Sequence, residues 1–390
     1  MTVIPEIAAF HAELTQWRRD LHAHPETAFE ENRTADLVAE RLESFGIAVH
    51  RGLAKTGVVG TLRVGRGNGA IGLRADMDAL RIHEKNDFAY RSRHDGKMHA
   101  CGHDGHTTML LGAARYLASS RNFDGIVHFI FQPAEEGGGG GRVMVEEGLF
   151  AKFPVDAVYG LHNAPRYPVG HFFTRPGPVM AACADFDLAI SGRGAHAARP
   201  ETGVDAVLAS AHVVAALQSI VARNVSPFET AVVSTTQIHG GEAYNIIPED
   251  VVIRGNVRAY KTQIMRRIEE RIRGVAEGIC AGFGARAKLA FQDLYPPLVN
   301  HAKETEIACD AAAAVVGADN VDRNGPPRMA SEDFSYMLEA RPGAFVFLGN
   351  GDGEGSCDVH NPNYDFNDQI LPIGASFFAR LIEMNLPKRR

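Results

Sequence analysis

Ile126-Val127-His128-Phe129-Ile130-Phe131-Gln132-Pro133-Ala134-Glu135-Glu136-Gly137 is the stretch on which the fold turns. Its first six positions carry apolar side chains almost without interruption, where a strand with one wet face would alternate. The run therefore reads as a strand buried on both faces. The segments 157–161 and 344–348 have the same character, and of these three strands the first is preceded by a helical pattern at 106–119 and the second by one at 143–148. Such alternation predicts an α/β fold with a mostly parallel central sheet and helices on both faces.

Upstream, the first forty-odd residues read as two helices joined near His24-Pro25. Residues 57–64 and 70–76 read as two strands about a glycine-rich turn. No helix follows that turn, so a dinucleotide loop is excluded. The segment 185–291 has another rhythm: strand 186–191, helix 205–223, strand 231–239, strand 250–260, helix 262–282 and strand 285–291. This β-α-β-β-α-β order predicts a small α+β sandwich inserted into the larger domain. The expected boundaries are 1–184 and 296–390 for the larger domain, and 185–295 for the insert.

In open α/β sheets, ligands bind beyond the carboxyl ends of the strands. The strand ending at Ala75 leads into Asp76-Met77-Asp78, and the one ending at Phe131 leads to Glu135-Glu136. The strand ending at Leu161 is followed by His162-Asn163, and the last runs through a glycine loop to His360. Between the first two lies Met98-His99-Ala100-Cys101-Gly102-His103-Asp104-Gly105-His106, a metal-ligand cluster by composition. Cys101 and His103, two apart, share a side if that segment is extended, with Asp104 as a candidate N-cap of the helix that follows.

Two adjacent glutamates on a glycine loop repel unless positive charge sits beside them, and a pair of divalent cations supplies it. In an extended backbone Glu135 and Glu136 face opposite ways, so one can bind metal while the other handles a proton. Cys101 is then a thiolate ligand, since no third residue orients a Cys–His nucleophilic pair. The glycines at 137–141 lack a following Gly-Lys-Ser/Thr, so they are not a phosphate cradle. They are expected to let the backbone approach the metals.

Composition narrows the function classes. The chain has 390 residues and a formal charge of −7, which argues against a nucleic-acid partner. The apolar segment 206–222 is broken by Ser210, His212, Gln218 and Ser219, so no membrane span is expected. No secretory signal pattern opens the chain. The five scattered cysteines predict a reducing, cytoplasmic setting without disulfides, with Cys183, Cys280 and Cys309 as small buried hydrophobes.

Leu73-Arg74-Ala75-Asp76-Met77-Asp78-Ala79-Leu80, His99 to His106 and Phe131 to Gly137 together resemble the M20 metallopeptidase family. They are most similar to its amidohydrolase branch of hippurate hydrolases, aminoacylases and auxin-conjugate hydrolases. The likeness runs from Arg18-Arg19-Asp20-Leu21-His22 to His360-Asn361-Pro362. It implies Cys101 (bridging), His103, Glu136, His162 and His360 as ligands of two divalent ions, zinc foremost, with manganese, cobalt or nickel as alternatives. It implies Glu135 as general acid/base and Asp78 as a carboxylate steering the site. It also implies a dimerising lid formed by the insert. His196 would reach the neighbouring subunit's site, and Asn245 and Arg258 would hold the substrate carboxylate. Peptidase branches carry aspartate where this chain has Cys101, and histidine where it has Asp76. That departure favours N-acyl amino acids as substrates over dipeptides. A non-catalytic relative would lack Glu135 or a ligand, and none is missing.

Overall fold

The computed structural model describes residues 2–351 and 357–388. The glycine loop ahead of His360 lies partly outside these residues. The chain divides into two compact units. The larger runs to Val179 and takes up Val299–Pro327 and the segment from Asp333 onward; the smaller comprises Met180–Leu298 and Arg328–Glu332. The expected boundaries at 184/185 and 295/296 thus move by a few residues, and a short return segment joins the smaller unit.

The larger unit is built on an eight-stranded sheet. Its strands are β1 (Ala48–Leu53), β2 (Gly57–Val64), β3 (Ala70–Asp76), β4 (Gly125–Gln132), β5 (Ala157–Pro165), β6 (Phe172–Phe173), β7 (Val321–Asp322) and β8 (Gly343–Gly351). They lie in the order β1-β2-β4-β3-β5-β8-β6-β7. The centre, β4-β3-β5-β8, is parallel throughout, while β1-β2-β4 and the β8-β6 pair are antiparallel. The strands 57–64 and 70–76 therefore do not pair with each other, because β4 slots between them.

Every second residue of the central strands faces one layer of helices. Leu73, Phe129, Tyr159 and Val346 pack with Leu110, Leu117, Phe377 and Leu381 in one buried cluster. Leu110 and Leu117 come from helix His103–Ser120, Phe377 and Leu381 from Leu371–Asn385. The alternate positions face the other layer: a β-carbon on Gly160 would lie 2.7 Å from Phe345, and Phe345 packs at 5.5 Å from Phe334 beside helix Ser335–Ala340. With both faces covered, the strands have no need of polar alternation. At the amino terminus there are three helices, Pro5–Ala9, His11–Ala23 and Asn32–Ser44, in place of two.

In the smaller unit an antiparallel sheet runs Ala231–His239, Asp250–Ala259, Ala182–Ser191, Arg286–Tyr295. Phe186, Leu188 and Ile190 point inward and alternate with exposed Asp185, Asp187 and Ala189. Helix Thr262–Gly282 meets that face with Met265, Ile268, Ile272 and Ala276, a three-and-four spacing that keeps one stripe buried. The helix expected over 205–223 is two, Ala206–Leu217 and Ser219–Asn224, broken at Gln218. Among the described residues no helix is long and apolar enough to cross a membrane.

Candidate metal centre

Asp78 lies just past β3. Its carboxylate accepts the N–H groups of Glu135 at 3.0 Å and of Glu136 at 2.9 Å, while Oδ1 stands 3.3 Å from His103 Nδ1. One buried carboxylate thus holds the glutamate loop and orients an imidazole. Glu135 and Glu136 are not extended as expected: they occupy a turn that follows Ala134, whose φ is 57°. Their placement is set by the turn and the Asp78 anchor, not by strand alternation.

Cys101 and His103 flank Gly102, which caps helix His103–Ser120 with φ 95°. A β-carbon at Gly102 would sit 2.3 Å from Asn163 Oδ1, so only glycine permits this approach. Asp104 is not the N-cap; it lies in the first turn, and its carboxylate meets His22 Nδ1 at 2.9 Å. His162 and Asn163 lie within β5, which continues to Pro165. His162 Nδ1 donates to the Asn163 carbonyl at 2.7 Å, leaving Nε2 turned to Cys101 Sγ at 3.4 Å.

The potential ligand atoms of Cys101, His103 and His162 lie within 4.8 Å of one another, and so do those of Cys101, Glu136 and His360. The Cys101 thiol is common to both triads. His360 Nε2 is 3.1 Å from Glu136 Oε1. His103 Nε2 is buried without a hydrogen-bond partner, a costly state for a polar atom unless it binds something. A soft sulfur, imidazole nitrogens and a carboxylate form a donor set suited to zinc-like cations. The residues fit a pair of metal ions.

Electrostatics point the same way. Burial opposes the His103 cation, yet Asp76, Asp78 and Glu136 outweigh it and raise its pKa to about 10. Burial, Glu136, Glu135 and Asp76 push the Cys101 thiol well up. A site that retains an imidazole proton and resists a thiolate has too much negative charge, which divalent cations would neutralise.

A second buried network backs the first. Arg74 Nη1 meets Asp76 Oδ2 at 2.7 Å, and Asp76 Oδ1 takes His106 Nδ1 at 2.6 Å. Sequence reading missed Arg74: an arginine in an apolar strand, between Leu73 and Ala75, calls for a partner, but nothing local names it. His106 is a buttress to Asp76 and Asn163.

Arg18 and His22, one helical turn apart, reach the same helix start. His22 joins Asp104 at 2.9 Å and Glu84 at 3.1 Å. Burial works against its cation, but these two partners win and raise the pKa from 6.5 to about 9. The folded chain therefore holds this proton more tightly than the unfolded one. The stability gained is complete below about pH 6.5 and disappears as pH rises through about 9. His22→Gln should flatten that decline in denaturant titrations between these limits; parallel declines in variant and parent would contradict the assignment.

The three expected substrate contacts lie in the smaller unit. His196 pairs with Ile246 in a short exposed ribbon, and the Ala197 N–H donates to the Asn245 carbonyl at 3.0 Å, so His196 and Asn245 are neighbours. Arg258, half-buried, donates to Asn256 Oδ1 at 2.7 Å and Ser331 Oγ at 2.9 Å.

Fold and donor set together define a candidate metal centre on a parallel-sheet α/β core. Residues 72–384 match Peptidase family M20/M25/M40, and the chain belongs to that family. It is 42% identical to a hippurate hydrolase of Campylobacter jejuni, over 98% of each chain. To an N-acetylcysteine deacetylase of Bacillus subtilis it is 38% identical, covering 96% of this chain and 97% of the other. A solved Bacillus subtilis structure, described as a dinuclear metal-binding peptidase from the M20 family, superposes with a TM-score of 0.85 at 34% identity, covering 97% and 99%. The chain is an M20-family amidohydrolase, an enzyme that hydrolyses amides.

Proposed function

We propose that this enzyme hydrolyses the amide bond of small N-acyl amino acids, of the hippurate or N-acetylamino-acid kind. The observation that carries the reading is the Cys101 thiol shared by two donor triads, with Glu135 on the adjoining loop. Cys101, His103 and His162 would hold one divalent ion, and Cys101, Glu136 and His360 the other, zinc foremost, then manganese, cobalt or nickel. When bound, such a pair supplies Lewis acidity at the scissile carbonyl and makes water more acidic. Glu135 takes the proton from water on its carboxylate and gives it to the leaving nitrogen. Asp78 keeps Glu135 and Glu136 in place through their backbone N–H groups.

In the smaller unit, the Arg258 fork suits a substrate carboxylate, with Asn245 as its partner and His196 serving the oxyanion of a second copy's site. A homodimer through this unit is supported by its edge strand Ala231–His239, which exposes Val232 and Ile238; a monomer in sedimentation would remove that part of the reading. All five cysteines are free thiols, which supports a cytoplasmic setting.

The test is a side-by-side assay of hippurate, N-acetylamino acids and dipeptides. Metal-dependent release of free amino acid from the acylated substrates is expected. Faster dipeptide cleavage would transfer the reading to a dipeptidase or carboxypeptidase, and full activity after thorough chelation would contradict it.

A further inference from the structure

The loop that carries Glu135 hangs on three buried carboxylates. Asp78 takes the two N–H groups already described. At the amino-terminal side of the loop, Glu31 Oε1 accepts from Ala134 N–H at 2.9 Å and Phe29 N–H at 3.0 Å, and Oε2 meets the Thr56 hydroxyl at 2.6 Å. At the far end, Asp333 Oδ2 accepts from Gly141 N–H at 2.7 Å. Asp333 Oδ1 accepts from Gln132 Nε2 at 2.7 Å and Arg74 Nη2 at 3.1 Å. Glu31 and Asp333 are both 0% exposed.

Gly140 and Gly141 serve this closure. A β-carbon on Gly141 would lie 2.8 Å from the Asp333 carbonyl, and one on Gly140 only 1.8 Å from the Pro133 carbonyl. Ala134 is held at φ 57° between these anchors, a conformation that residues with a β-carbon keep only under constraint. These three requirements converge on one loop shape.

We propose that Glu31 and Asp333 are positioning residues, which fix Glu135 from the two ends of its loop through backbone hydrogen bonds and so set the rate of hydrolysis. The inference rests on the reading of Glu135 as acid/base. Neither residue belongs to the two Cys101 triads; an Asp333 carboxylate oxygen also lies within 4.8 Å of one of Glu135, so the Glu31 pair isolates the backbone effect.

The two anchors differ chemically in a way that can be tested. Both oxygens of Asp333 accept from N–H donors, so Asp333→Asn turns an NH₂ group against a donor at one end or the other. Glu31 Oε2 faces a hydroxyl, which can rotate and accept, so Glu31→Gln can keep every contact while Glu31→Ala keeps none.

The experiment measures kcat, KM, bound metal and amide hydrogen exchange of the segment 133–142 in the three full-length variants. Displacing a catalytic group by about 1 Å costs on the order of 10²-fold, so Glu31→Ala and Asp333→Asn should lower kcat by about 10–100-fold. Their KM should stay within about threefold and their metal content should match the parent's. Exchange across 133–142 should quicken in both, and Glu31→Gln should behave as the parent in every readout. Unchanged kcat or unchanged exchange in Glu31→Ala and Asp333→Asn would overturn the proposal. So would a Glu31→Gln variant as impaired as Glu31→Ala, or a loss of activity that tracks loss of metal. Should Asp333→Asn fail to fold, the Glu31 pair decides. A parent enzyme inactive on all amides would strike the functional reading instead, and the exchange rates would still decide this one.

Discussion

Glu135→Gln is expected to bind metal as the parent does and to lose turnover by about 10²–10⁴-fold, the range that general acid–base groups supply. Glutamine keeps the size and leaves the loop's anchors untouched, because Asp78 holds residue 135 by its backbone N–H and not by its side chain. Glu136, which belongs to the donor set, is unaltered. What disappears is the ability to take a proton from water and return it to nitrogen. Metal analysis beside steady-state kinetics checks both halves; a variant with substantial kcat would remove Glu135 from the reaction. A variant without metal would show instead that Glu135 is a ligand.

Cys101→Ala should have the other large effect, through binding and not through proton transfer. Its sulfur belongs to both triads, so the substitution removes one donor from each. Both ions are expected to leave on dialysis, with turnover falling below detection. Cys101 is buried, and nothing else within the two triads offers sulfur. A metal-to-protein ratio equal to the parent's would contradict the shared thiol. Loss of half the metal would assign Cys101 to one ion alone. The contrast between the two variants separates chemistry from assembly of the site.

Much of the larger unit's architecture could be read in the sequence, because strands buried on both faces leave continuous apolar runs such as Ile126 to Phe131. The residues that the structure gathers within 4.8 Å, Cys101 with His103, His162, Glu136 and His360, were also visible there, since thiol and imidazoles at strand ends are chemically conspicuous. Other features had no local signature. Arg74 meets Asp333 across 259 positions, and pairing at that separation leaves no pattern in either segment. The left-handed Ala134, which turns Glu135 and Glu136 out of an extended path, is not a residue that announces positive φ. The glycine turn that joins residues 57–64 and 70–76 does not itself say whether the two strands pair. Only the long crossover that brings β4 between them decides that they do not.

The shared thiol is tested most directly by anomalous scattering from a crystal grown with zinc. Two peaks about 3.5–4 Å apart are expected. One should be bounded by Cys101, His103 and His162, the other by Cys101, Glu136 and His360, with the sulfur between them. A single peak, or a pair whose ligands exclude Cys101, would contradict the account.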